Sequence, residues 1–89
     1  MTEPREIKIK RLKMRSMRRG IKEMDLILQS YATAHLDGLS DADLALYDQM
    51  LDENDHDLYQ WVCGLGQMPD VYAALMAAVQ AQAEGVVQP

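Results

Sequence analysis

The sequence predicts an all-α fold, a compact five-helix bundle that forms a single small domain. Good helix formers such as alanine, leucine, methionine and glutamate are abundant along the chain. β-Branched residues rarely alternate with polar ones, as they would along a half-buried strand. Glycine, proline and capping residues divide the 89 residues into segments of helical length. A chain this short holds one domain, which we assign to residues 1–89 with frayed ends at 1–4 and 85–89.

The first two helices are predicted from a proline and from an apolar repeat. Pro4 suits a first helical turn because proline has no N–H to leave unpaired there, and this helix should weaken at Gly20. The second helix is predicted over residues 21–36, where apolar residues recur at the spacing of one helical face. These residues are Met24, Ile27, Leu28 and Tyr31. Asp37 and Gly38 end the helix, since glycine accepts the left-handed conformation that closes many helices.

Capping residues predict the third and fourth helices. Ser40 can accept an N–H of the next turn, where Asp43 faces the positive end of the helix dipole. The residues of this helix that should face inward are Leu44, Tyr47 and Leu51. Asn54 or Asp55 is the cap of the fourth helix, which Gly64 and a second glycine two residues later bring to a close. Its apolar stripe is Leu58, Trp61, Val62 and Leu65.

The fifth helix is predicted to start at Pro69 and Asp70. Alanine dominates the rest of this segment and favours a helix. The residues expected to face the core are Val71, Leu75, Ala78 and Val79.

The charges divide the chain into two unlike parts. Residues 1–22 hold all nine basic residues and two acidic ones, for a net charge of +7. Residues 23–89 hold twelve acidic residues and no basic one, for a net charge of −12. Such asymmetry between the two ends of a chain points to a charged partner.

No catalytic, cofactor-binding or metal site is expected. His35, His56 and Cys63 lie in no motif, and a lone cysteine forms neither an internal disulfide nor a cysteine-based zinc site. The acidic stretch around Asp52 fails as a calcium loop, because Asp57 and Cys63 stand where such a loop needs glycine and a bidentate glutamate. The acids between residues 37 and 57 are interpreted as helix caps and a solvated face, or else as a surface for a basic partner.

The basic segment is predicted to be an amphipathic helix. At 100° per residue, six cations share an arc of about 100°. They are Lys8, Arg11, Arg15, Arg18, Arg19 and Lys22. A separate apolar arc holds Ile7, Met14, Met17, Ile21 and Met24. The six cations either form a solvated face that keeps the helix soluble or, because they repel one another, indicate an anionic partner.

One motif within this segment points to a family. Residues 18–25 read RRGIKEMD and resemble the RGxxE motif of the succinate dehydrogenase assembly factor 2 family, the small flavinylation factors called SdhE in bacteria. The spacing onward is similar to the second signature of the family, so that the resemblance covers residues 8–80. That signature falls here on Asp52, Asp55, Leu58, Trp61, Gly64 and Pro69.

The resemblance implies a five-helix monomer that is not an enzyme. Such a protein binds the flavoprotein subunit of succinate dehydrogenase, and in some bacteria that of fumarate reductase. It promotes covalent attachment of FAD to a histidine of that subunit, so that FAD is handled by the partner and is not bound tightly by the chain itself. With no apolar run near the roughly 20 residues of a membrane span and no signal-peptide core, we expect a bacterial cytoplasmic protein. A mitochondrial transit segment is disfavoured, because residues 1–22 have a single serine and two glutamates.

The resemblance also implies which residues contact the partner. We expect the partner-binding residues to be Arg11, Arg15, Arg18, Arg19, Gly20, Glu23, Met24 and Asp25. Gly20 would allow a close approach, and Arg19 offers a planar fork of five donors. A structural alternative is an i, i+4 pair of Arg19 with Glu23, worth about 0.3–0.5 kcal/mol, which would not require the glycine. Many relatives have an aromatic residue where this chain has Met14 or Met17.

Two other function classes start from the same basic helix. A nucleic-acid binder would use the cations on phosphates, but residues 1–22 have no aromatic side chain for base stacking and the other residues carry −12. A membrane-surface helix would need the tryptophan or phenylalanine usual at a lipid interface. A protein-interaction module therefore fits the sequence better than either.

Overall fold

Five helices form the structure, a computed structural model that describes residues 3–83. They are α1 (Arg5–Arg15), α2 (Lys22–His35), α3 (Asp41–Met50), α4 (Asp55–Val62) and α5 (Ala73–Ala83). Short 3-10 turns follow α2 at Leu36–Gly38 and precede α5 at Asp70–Tyr72. No strand occurs within the described part of the chain. The predicted all-α class and five-helix single domain are thus confirmed.

Helix α2 lies at the centre and packs against α1, α4 and α5. Its predicted apolar face is confirmed, since Met24, Ile27 and Leu28 are fully buried and Tyr31 is 2% exposed. Burial of one apolar face is what stabilises so short a helix, which would be marginal alone in water. The expected frayed residues 85–89 lie outside the described residues.

The predicted caps of α3 and α4 are present. The Ser40 hydroxyl accepts the N–H of Asp43 at 3.1 Å, and the Asn54 side-chain oxygen accepts the N–H of His56 at 2.8 Å. Each contact satisfies an N–H that the helix itself leaves without a partner. The inward residues of α3 are also confirmed, because Leu44 and Tyr47 are fully buried and Leu51 is 2% exposed.

Three predicted core residues, Leu65, Val71 and Ala78, are instead exposed. Leu65 leaves the stripe of α4 because Gly64 and Gly66 both have left-handed backbones, with φ of 79° and 72°, so that the helix has already ended at Val62. Val71 lies in the 3-10 turn before α5 and also faces solvent. The buried apolar residues of α5 are Leu75, Met76, Val79 and Ala83, so Leu75 and Val79 are confirmed and Ala78 is not.

Helix α1 differs most from its prediction. It ends at Arg15, not near Gly20, because buried Ser16 turns the chain: its hydroxyl donates to the Leu12 carbonyl and lies 2.6 Å from the Tyr47 hydroxyl. Residues 16–21 form an irregular segment, which we call the junction loop.

The apolar residues of α1 that face the core are Ile9 and Leu12. Ile7 and Met14, which belong to the predicted apolar arc, are 56% and 68% exposed. The arc was counted at 100° per residue across residues 7–24, whereas the helix ends at Arg15 and the junction loop interrupts it. No helix among residues 3–83 is long and apolar enough to cross a bilayer.

Candidate functional site

The junction loop carries the first half of the motif and is held by a single carboxylate. Asp55, the first residue of α4, accepts the Nε–H of Arg19 on Oδ1 at 2.8 Å. Its Oδ2 accepts the backbone N–H of Gly20 at 2.7 Å. One side chain thereby binds both the side chain of one loop residue and the backbone of the next. This ties the connection between α1 and α2 to the start of α4.

The Arg19 side chain is turned inward and is 12% exposed. Besides Asp55, its Nη1 donates to the Arg15 carbonyl at 3.1 Å and its Nη2 donates to the Leu51 carbonyl at 3.0 Å. Arg15 is the last residue of α1 and Leu51 caps the end of α3, so these are carbonyls that their own helices leave free. A cation at two helix C-termini is also favoured by both helix dipoles. Arg19 therefore joins three helices.

Gly20 allows the Asp55 carboxylate to approach its backbone. A Cβ atom at this position would lie 3.1 Å from Asp55 Oδ2, closer than most real contacts. The Asp55 carboxylate has little room to yield, because Arg19 holds its other oxygen. Space, not an unusual backbone angle, is therefore the reason for glycine here.

Arg18 has the opposite environment to its neighbour. Its backbone is left-handed, with φ of 57°, and its N–H donates to Asp25 Oδ1 at 2.7 Å. Its side chain is exposed. Arg18 is the one residue other than glycine with positive φ among residues 3–83.

The second half of the motif lies on the first turns of α2. Glu23 is exposed, while Met24 is fully buried in the core and presents no surface to a partner. Cys63, and to a smaller extent the negative charge of Glu23, raises the pKa of Tyr59 in α4. The exposed residues that the motif region offers are Arg18, Gly20, Lys22, Glu23 and Leu26.

The remaining predicted site residues, Arg11 and Arg15, line the side of α1 next to α3. Arg11 forms paired hydrogen bonds with Asp48, at 3.0 and 3.2 Å, and with Glu3. Arg15 also contacts Asp48 and donates to Asp52 at 2.6 Å. The Arg11 guanidinium lowers the pKa of the Asp48 carboxyl, and Arg15 adds to this shift.

These contacts explain the charge asymmetry of the chain. Arg11, Arg15 and Arg19 follow at intervals of four residues, and each meets an aspartate of the acidic stretch. Two further ion pairs join Arg5 to Asp41 and Lys13 to Asp37. Much of the acidic stretch is therefore a binding surface for basic residues of the same chain.

The sequence interpretation missed these partners of the arginines. Asp48, Asp52 and Asp55 are spaced by four and three residues, which roughly matches the spacing of the three arginines. This similarity of spacing could have predicted that the three arginines pair with the three aspartates. Within the described residues, no group of three His, Cys, Asp or Glu side chains is placed to hold a metal ion.

Comparison with known proteins identifies the family. Residues 10–83 match the family model described as flavinator of succinate dehydrogenase. The chain belongs to this family.

The curated relatives carry a consistent name. The chain is 54% identical over 59 residues to succinate dehydrogenase assembly factor 2, mitochondrial, of Meyerozyma guilliermondii, covering 66% of this chain and 44% of that protein. It is 40% identical over 68 residues to the Schizosaccharomyces pombe protein of the same name, covering 76% of this chain and 49% of that one. The Drosophila mojavensis protein, assembly factor 2-B, is 38% identical over 72 residues, or 79% of this chain and 46% of that one. The chain spans less than half the length of these relatives.

The expected bacterial cytoplasmic location is wrong. The relatives named above are mitochondrial proteins of eukaryotes. The expectation rested partly on the composition of residues 1–22. In the structure most of these residues form α1 and the junction loop, so their composition reflects packing against α3 and α4 and not the compartment.

Proposed function

We propose that this chain binds the flavoprotein subunit of succinate dehydrogenase and promotes the covalent attachment of FAD to it, without being an enzyme and without binding FAD tightly. The observation that supports this most directly is the ordered junction loop, whose motif residues are bound to Asp55 in a chain of the flavinator family. In this proposal the chain acts as a monomer, and the groups that form the bond to FAD belong to the flavoprotein.

The geometry favours the junction loop as a contact surface that is already in a fixed conformation before the partner binds. The junction loop has side-chain and backbone contacts to α4, so little backbone freedom would be lost on association. Preorganisation of this kind raises affinity by lowering the entropic cost of binding. The exposed charges near the loop have both signs, since Arg18 and Lys22 are basic and Glu23 is acidic. A protein partner can present acidic and basic side chains to match them, which favours a protein as the partner.

The ion pairs favour a protein partner over a nucleic acid. Of the nine basic residues, five already pair with carboxylates among residues 3–83. Binding to a polyanion depends on many free cations that can neutralise phosphates. Pairing within the chain removes three of the six cations of the basic arc, Arg11, Arg15 and Arg19, from that use.

Co-expression tests the proposal. The flavoprotein is expressed with and without this chain, and covalent flavin is measured by in-gel fluorescence after denaturation. Added chain should raise the flavin signal per amount of flavoprotein. An equal signal with and without the chain contradicts the proposal.

Two substitutions at Gly20 show whether the junction loop is the contact. Gly20→Arg should abolish binding of the flavoprotein, because the new side chain meets Asp55 and projects over the loop. Gly20→Ala adds the Cβ alone and should weaken binding less. Circular dichroism checks that both variants remain helical, as expected because Gly20 itself is exposed and lies outside the buried core. A folded Gly20→Arg chain that still pulls down the flavoprotein would argue against this surface.

A further inference from the structure

The two adjacent arginines of the motif differ in burial and in hydrogen bonding. We infer that they have separate roles: Arg19 and Asp55 are positioning residues for the junction loop, and Arg18 is the cation that contacts an acidic patch of the flavoprotein. The Arg18 role rests on the proposed function, whereas the positioning role concerns the chain alone.

Arg19 already uses three of its five N–H donors within the chain, and little of its side chain is open to a partner. Its Nε, Nη1 and Nη2 each donate to an oxygen of this chain, and its side chain is 12% exposed. Asp55 is similarly committed, with one oxygen on Arg19 and the other on Gly20. A planar guanidinium suits three acceptors in different directions, which a lysine ammonium on its flexible stem would not match. These two side chains fix where the loop lies.

Arg18 has the features of a contact residue. Its left-handed backbone would be unstrained for glycine but is disfavoured for a residue with a Cβ atom. The hydrogen bond to Asp25 that supports this turn uses only the backbone N–H of Arg18, so any residue except proline could supply it. The side chain is exposed and has no ion pair within residues 3–83. A strained backbone that keeps a large exposed cation suggests that the side chain serves binding.

The chemistry of the partner follows from what surrounds Arg18. Lys22, four residues later in the sequence, is also exposed, and Met17, the residue before Arg18, is 40% exposed. A carboxylate-bearing patch would pair with both cations, and Arg18 can bind a carboxylate through two nitrogens at once. The patch on the flavoprotein should therefore be acidic with an apolar edge.

Two substitutions of Arg18 test the contact. Affinity for the purified flavoprotein is measured by calorimetric titration, and the thermal midpoint of the free chain by circular dichroism. Arg18→Gly removes the side chain and suits the backbone angle, so the midpoint should stay or rise while affinity falls about tenfold or more. Arg18→Lys should keep most of the affinity at low salt. Wild-type affinity in Arg18→Gly overturns the contact role.

Two further substitutions test the positioning role in the chain alone. Arg19→Lys and Asp55→Asn should each speed hydrogen exchange of the Gly20 amide about tenfold or more. The first leaves the accepting carboxylate of Asp55 less firmly held, and the second replaces that carboxylate with a neutral amide. Both variants should also bind the flavoprotein less tightly. Asp57→Asn is the matched control, since Asp57 is an exposed acid of the same helix turn. Loss of affinity in Arg19→Lys with unchanged Gly20 exchange would make Arg19 itself the contact and overturn the inference.

The contact role and the positioning role can be contradicted separately. If the wild-type chain does not bind the flavoprotein, the proposed function and the contact role of Arg18 are both wrong. The exchange rate of the Gly20 amide still decides whether Arg19 and Asp55 position the loop.

Discussion

Helices α1 and α5 are held to the same bundle by different forces. Helix α5 contains no charged residue and buries Leu75, Met76, Val79 and Ala83. Helix α1 buries only Ile9 and Leu12, and its other contacts to α3 and the acidic stretch are ion pairs and hydrogen bonds. Apolar burial does not depend on the ionisation of side chains, whereas ion pairs weaken with salt and with protonation. The helix that precedes the motif is thus the one whose attachment responds to solution conditions.

The largest effect should come from truncation in the apolar region. Met76→Ala removes a fully buried side chain of α5 and should lower the free energy of unfolding by about 3 kcal/mol. Met14→Ala in α1 is the matched control, because the Met14 side chain is 68% exposed. It should change the free energy of unfolding by less than about 0.5 kcal/mol. Urea unfolding at low and high salt measures both. A large loss in Met14→Ala would mean that the outer face of α1 is packed.

The next largest effect should come from the carboxylate that holds the junction loop. Asp55→Asn leaves the largely buried Arg19 without its ion pair and should cost about 2 kcal/mol of unfolding free energy. Asp57→Asn removes the same charge from the same exposed helix start and should cost less than about 0.5 kcal/mol. Equal losses of unfolding free energy in the two variants would show that Asp55 stabilises α4 through the helix dipole and not through its ion pair with Arg19.

A smaller effect concerns the buried polar contact that ends α1. Burial raises the pKa of Tyr47 to about 12, although its hydrogen bond with Ser16 opposes part of that shift. A tyrosine pKa raised in the folded state stabilises the fold below the unfolded value of about 10, and this stability is lost as pH rises from about 10 to 12. Tyr47→Phe should abolish most of that alkaline loss and cost about 1 kcal/mol at neutral pH. Unfolding curves between pH 7 and 12 test both statements.

The smallest effect should come from the ion pairs along α1. Asp48→Asn removes the acceptor shared by Arg11 and Arg15 and should cost about 0.5–1 kcal/mol, because these side chains are partly exposed. The pKa of Asp48 is lowered in the folded state, so this contribution is present above its unfolded pKa near 4 and is lost as pH falls through the folded value. The difference from the wild type should therefore shrink in acid and in 1 M salt, as measured by urea unfolding. A difference that persists under both conditions would mean that α1 is held by apolar contacts after all.

Local contacts explain which parts of the fold could be predicted. The face of α2 from Met24 to Tyr31 and the caps at Ser40 and Asn54 each depend on residues within one or two helical turns. Leu65 was assigned to the core because its spacing fits the stripe of α4. The backbones of Gly64 and Gly66 end that helix first.

The candidate site was harder to predict than the helices. The motif at residues 18–25 spans the end of the junction loop and the first turn of α2, where the sequence predicted only that a helix weakens at Gly20. The match over residues 10–83 confirms the family. The environments of Arg18 and Arg19 could not be told apart in sequence, because both lay on the same predicted basic arc. Only the early end of α1, caused by Ser16 and Tyr47, separates one from the other.

By itself the sequence determined the number of helices, the core face of α2, the family and the position of the motif. These follow from short-range periodicity, capping chemistry and motif spacing, which the linear chain displays directly. Tertiary structure alone decided that Asp55 holds Arg19 and Gly20 across 36 and 35 residues of chain. It likewise decided that the acids of the middle of the chain neutralise the arginines of its beginning. Pairing of this kind depends on where the helices pack, and the charge pattern alone is equally compatible with a partner outside the chain.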